Sequence, residues 1–217
     1  MNKQTWKWSY IKRQENGEKY VYYKNWKIKR KNFFKDWKKE GEQIRYYYKS
    51  GQIERSQNYK NWKREWKQIR YYKSGQIWWR WNYKDWKKEW EQILYRENGQ
   101  IEWRWHFRNW RKEWEQIRYY KNGQIWWRWN YKNWEKEWEQ ILYYENGQIE
   151  EKENYKNWVL NWEYAEYYEN GQARREMNYN NWKINWEMTV YNMKGQTKWI
   201  HKYDNWKIIQ KSEFMNW

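Results

Sequence analysis

The chain is predicted to be all-β: tandem antiparallel β-hairpins with a 24-residue period, forming one elongated, twisted meander sheet. Three observations predict it. Gly51, Gly75, Gly99, Gly123, Gly147, Gly171 and Gly195 stand 24 residues apart. Most are entered through Asn-Gly or Ser-Gly between stretches rich in Ile, Tyr and Trp, which is a strong short-range hairpin signal. An aromatic follows each glycine at the same distance: Tyr59, Tyr83, Phe107, Tyr131, Tyr155, Tyr179 and Tyr203. The array reads as one repeat domain over residues 1–217 with about eight units, its first ten or so residues and its last unit atypical. The first unit carries Trp26 in the glycine slot of Tyr22-Tyr23-Lys24-Asn25-Trp26-Lys27-Ile28.

Within a unit, Asn98-Gly99, Asn122-Gly123, Asn146-Gly147 and Asn170-Gly171 are read as hairpin tips in type I′ turns, which need φ > 0 at both central residues. The strand after a tip alternates. Ile125, Trp127, Trp129 and Tyr131 share one face, and Trp126, Arg128 and Asn130 the other. The strand before it runs through Glu115–Tyr120, and a second turn over 133–138 leads to the next hairpin. A competing reading makes 85–98 a helix, because Trp86, Trp90, Ile93 and Leu94 fall at helical spacing with Asp85 as an N-cap. That would give a strand-plus-helix solenoid.

Tryptophan is placed oddly. One column always follows Asn or Asp: Trp37, Trp62, Trp86, Trp110, Trp134, Trp158, Trp182 and Trp206. Asn/Asp-Gly is a turn dipeptide and Asn/Asp-Trp is not. A second column, Trp66, Trp90, Trp114, Trp138, Trp162 and Trp186, has Gly41 as its early member, and a third holds Trp81, Trp105 and Trp129. Gly and Trp share almost no physical property, so a column accepting both points to translation. UGA lies one base from glycine codons, and some bacteria read it as glycine; many of these Trp are then UGA codons that encode Gly. The alternative is a real tryptophan ladder across the strands. The lack of Pro and Cys and the scarcity of Ala suit an AT-rich coding sequence.

With Gly at those columns the unit becomes Tyr-Tyr-x-Asn-Gly-Gln-Ile-x-x-x-Gly-Asn-Tyr-Lys-Asn-Gly, as in Tyr143-Tyr144-Glu145-Asn146-Gly147-Gln148-Ile149 and Asn154-Tyr155-Lys156-Asn157. It resembles the MORN-repeat variant of bacterial proteins commonly labelled YwqK-type antitoxins. The resemblance implies a meander of antiparallel hairpins that serves as a protein-binding scaffold, a membrane-proximal platform or an antitoxin.

Chemistry is sparse. His106 and His201 lie four repeats apart, and no nucleophile motif, phosphate loop or metal-binding helix occurs. No enzyme, cofactor, metal site or small-molecule substrate is expected. The ladder Ile53, Ile77, Ile101, Ile125 and Ile149, together with Tyr59, Tyr83, Phe107, Tyr131 and Tyr155, forms a stripe that is either the sheet's own core or a partner groove. The expected partner is a protein, an acidic one by the formal charge of +18. Nucleic acid or an anionic membrane is the alternative, through basic-aromatic runs such as Arg70-Tyr71-Tyr72-Lys73. A cell-wall or carbohydrate-binding aromatic repeat is a further class. No apolar run long enough for a membrane span or signal h-region is seen, so the chain reads as cytoplasmic.

Overall fold

The structure, a computed structural model, describes residues 16–204 and 206–214. The first ten residues, read above as atypical, lie outside these. All regular structure among the described residues is strand, twenty segments with every pairing antiparallel. Each strand pairs with the next in sequence or, past a two-residue segment such as Lys87–Lys88, with the one after it, and Gly17–Tyr22 and Lys207–Glu213 do not pair with each other, so the sheet is open. The helix over 85–98 is not there: Lys87–Lys88 and Trp90–Tyr95 are strands. Left-handed backbone at Trp86 and Trp90 (φ 71 and 57) breaks the helical path despite the helical spacing of the apolar residues.

The two turns of a unit exchange the types that composition suggests. At the tip, the Gly99 N–H donates to the Arg96 carbonyl at 2.9 Å and the Arg96 N–H to the Gln100 carbonyl at 2.8 Å. In that tip only Gly99 has positive φ, +87°. The loop therefore has three residues and closes on a left-handed glycine, which corrects the type I′ expectation at Asn-Gly. The type I′ turn sits at the other end of the strand. Asp85 and Trp86 have φ of 47 and 71, Asn133 and Trp134 have 51 and 76, and Lys84 pairs directly with Lys87. The second turn is thus two residues, not the six of 133–138, because Glu135 already pairs with Lys132.

Beyond that turn the returning strand bulges. Tyr131 pairs with Lys136 but Trp129 pairs with Gln140, leaving extra residues opposite Asn130, among them Trp138 at φ 61. The gap is bridged by a side chain acting as a peptide group. The Gln140 carbonyl oxygen accepts from the Asn130 N–H at 2.9 Å, and its amide donates to the Asn130 and Glu137 carbonyls at 3.0 Å each. Gln92 does the same at Asn82. Gln43, Gln68 and Gln116 donate to the equivalent carbonyls, and all five amides are buried.

Successive units are tied at both edges of the sheet. The Trp86, Trp110 and Trp134 N–H groups donate to the carbonyls of Arg64, Lys88 and Lys112 at 3.1 Å. Glu65, Glu89 and Glu137 carboxylates accept from the N–H of Asp85, Asn109 and Asn157 one unit on. Near the tips, the phenols of Tyr72, Tyr120 and Tyr144 donate to the Tyr95, Tyr143 and Tyr167 carbonyls at 2.7–2.8 Å.

Candidate interaction surface

On one face the aromatics Tyr59, Tyr83, Phe107, Tyr131 and Tyr155 are buried, Tyr83 to 2% exposure, while Ile53, Ile77, Ile101, Ile125 and Ile149 are half-buried. Their cover comes from the next turn. Trp86 packs edge-on against Tyr59 at 6.3 Å, Trp110 against Tyr83 at 5.8 Å and Trp134 against Phe107 at 6.1 Å, and Trp158 and Trp182 repeat this on Tyr131 and Tyr155. A cation lies over each ring as well: Lys39, Arg64, Lys88, Lys112 and Lys136, within 4.7–5.6 Å of the ring centroids. Burial pushes the Lys88 and Lys112 amines below the usual lysine range. Among the described residues only Lys136 of this column has an ion pair, with Glu153 at 4.0 Å. One and two units further on the column turns apolar, as Leu160 and Ile184.

The opposite face carries an ion-pair zipper over a floor of isoleucines. Arg80 and Arg104 meet Glu91, Arg128 meets Glu115 and Glu139, and Lys152 meets Glu139, above buried Ile93, Ile117 and Ile141. The zipper stops after Lys152. Glu176 stands where the arginines stood, and Ala165 and Thr189 replace the isoleucines. The missing volume opens a cleft of 380 Å³ lined by Glu163, Ala165, Glu176, Glu187, Thr189 and Tyr191, among others. The Tyr191 hydroxyl donates to Glu176 at 2.8 Å, and burial together with that carboxylate pushes its pKa up to about 12.

The turn glycines Gly51, Gly75, Gly99, Gly123, Gly147, Gly171 and Gly195 all have positive φ at the tip edge. Beneath Gly171 runs the Gln148 side chain, 2.9 Å from where a Cβ would sit, so a larger residue there displaces that side chain, whereas Gly51 has open space around it. His106 is tied to the Glu115 carbonyl through Nδ1 at 2.8 Å, and His201 stacks on Trp199 with Tyr203 tilted beside it, so the structure does not bring the two together. Among the described residues no group of three or more His, Cys, Asp or Glu is placed to hold a metal ion, and no helix is long and apolar enough to cross a membrane.

Sequence reading passed over the buried glutamines, the capping glutamates and the cation column. Each recurs once per unit, but so does every other position, and periodicity alone does not rank columns.

A search of curated proteins finds no match to the chain. The family model for the MORN repeat variant matches residues 39–61, 137–157 and 163–181. Of the 27 Trp in the chain only Trp138 falls inside a match, and the matches end at Asn61, Asn157 and Asn181, each one residue before a turn Trp. Three segments of this hairpin array are thus similar to the MORN repeat variant.

Proposed function

We propose that the chain is a non-catalytic repeat scaffold that binds another protein through side-chain columns displayed once per unit. The observation that supports this best is an open sheet, with no covering layer among the described residues, that repeats one side-chain set every two strands. MORN repeats are generally modules for binding or scaffolding, and the family is generally non-catalytic. The narrower form of the reading is that the partner is a toxin which the chain neutralises. Crosslinking and affinity isolation from the native source test the scaffold reading. A stoichiometric protein partner crosslinked to these columns supports it, and recovery of the chain alone, or with nucleic acid or lipid instead, sinks it. The toxin form predicts that co-expression restores growth to cells expressing the partner.

A second reading concerns the chain itself: the Trp of the turn and bulge columns are glycine in the producing cell, encoded by UGA. Every described residue with positive φ is Gly, Asn, Asp or Trp, and fifteen are Trp. A side chain in that region costs about 1–2 kcal/mol, and fifteen such costs rival the ~5–15 kcal/mol that holds a typical domain together. At the bulge and the first tip burial offers little in return, because Trp66, Trp90 and Trp138 are about half exposed and Trp26 is 83% exposed. Gly41 occupies the bulge column with φ 63, where Trp66 has 55. The coding sequence decides: UGA at these columns supports the reading, and UGG ends it.

A further inference from the structure

The two strands that flank each type I′ turn face each other with one residue pair. In the first four turns both members are cations: Lys35 with Lys38, Lys60 with Lys63, Lys84 with Lys87, and Arg108 with Arg111. All eight are exposed. Like charges directly opposite across a pair destabilise a sheet, and the fold does not require them. In the next four turns the pairs are Lys132 with Glu135, Lys156 with Val159, Asn180 with Lys183 and Asp204 with Lys207, on the same backbone register.

Behind each of the four cation pairs stands one more cation, half-buried over an aromatic ring: Lys39, Arg64, Lys88 and Lys112. No carboxylate forms an ion pair with any of these four among the described residues, and of the eight exposed cations only Lys63 has one, Asp85 at 3.4 Å. Three cations therefore recur at each of four adjacent turns. Successive turns are two strands apart, about 10 Å from the ~4.8 Å interstrand spacing.

We infer that this edge, from the Lys35–Lys38 pair to the Arg108–Arg111 pair, is the docking site for an extended acidic segment of a partner protein. The inference rests on the scaffold reading and assigns it a face and a partner chemistry. An extended chain advances about 3.3 Å per residue, so carboxylates three residues apart match the turn spacing. The scaffold reading selects a protein over a nucleic acid, whose phosphates would meet the same cations. None of the cations depends on how the Trp columns are translated.

The test uses the full chain, a fluorescent twelve-residue peptide with Glu at every third position, and a twelve-nucleotide single-stranded DNA and phosphatidylserine vesicles as competitors, at physiological salt. The variant Lys84→Glu with Arg108→Glu places an acid before a cation, as in the pair of Asp204 with Lys207, so the fold tolerates it. The expected result is saturable peptide binding that weakens about tenfold or more in this variant, with an unchanged or higher melting temperature. Asn180→Lys, which builds a cation pair in the C-terminal half, should leave binding unchanged. Absence of peptide binding, or equal weakening by Asn180→Glu as by the double variant, overturns the inference. So does DNA or vesicle binding that is tighter than peptide binding and is lost in the same variant. If the edge fails while a native partner still co-purifies, the scaffold reading stands on another face; if no partner co-purifies, that reading falls by itself.

Discussion

The central units and the C-terminal units share a backbone and differ in what fills it. From Ile53 to Tyr143, each unit has a buried glutamine in its bulge and, from Ile77 on, an Arg–Glu zipper on the opposite face. From Val159 on, Tyr164 and Met188 occupy the glutamine column, and Glu163 and Glu187 have lost their facing arginines. Yet Trp162 pairs with Tyr179 as Trp138 pairs with Tyr155, and the turn at Asn181–Trp182 keeps both positive φ values. The fold is therefore set by the left-handed positions at the tip, the turn and the bulge. The side-chain columns add stability and surface charge to a path already chosen.

The largest expected effect attacks the column that the C-terminal half lacks. Gln140→Ala leaves the Asn130 N–H and carbonyl without their bridge, and should cost about 1–3 kcal/mol in denaturant unfolding. Met188→Gln installs the bridge where it is missing and should be neutral or slightly stabilising. Equal losses from the two would show that the glutamine does not act through the bulge. Next is Trp26→Gly, which removes a ring that is 83% exposed from φ 64 and should raise stability by about 1–2 kcal/mol. A loss of stability there would contradict the claim that backbone handedness rules the column.

Tyr120→Phe deletes one inter-unit hydrogen bond, to the Tyr143 carbonyl at 2.7 Å, and should cost about 0.5–1.5 kcal/mol, with faster amide exchange confined to the adjoining units. Smallest is the alkaline response. Burial raises the phenols of Tyr83, Tyr131 and Tyr191, so the stability they contribute is fully present below pH 10 and is lost as pH rises through their folded values, about 12 for Tyr191. Lys88 and Lys112 are shifted downward and work in the opposite sense, recovering stability as pH climbs toward 10.5. Melting temperature should thus hold or rise slightly up to about pH 10 and fall beyond it.

Hairpins, period and strand faces were legible because glycine spacing and two-residue alternation report directly on backbone geometry. Turn type was not. The Asn-Gly rule pointed to the tips, but a three-residue loop also ends in a left-handed glycine, and the type I′ geometry went to Asp85-Trp86 and its equivalents. The bulge escaped notice because its marker residue is written Trp in six units and Gly only at position 41. The stripe Tyr59 to Tyr155 was visible as a column, but its burial under Trp86 to Trp182 depends on packing between units that no single repeat reveals.

The claim that left-handed backbone positions define this fold is tested most directly by peptide mass spectrometry of the protein from its native source, at Trp62, Trp86, Trp90 and Trp110. Glycine masses at all four are the predicted result, since each of these residues has positive φ between 57° and 71°. Tryptophan masses there would contradict the account, leaving the chain to hold bulky rings in a backbone region that glycine alone enters freely.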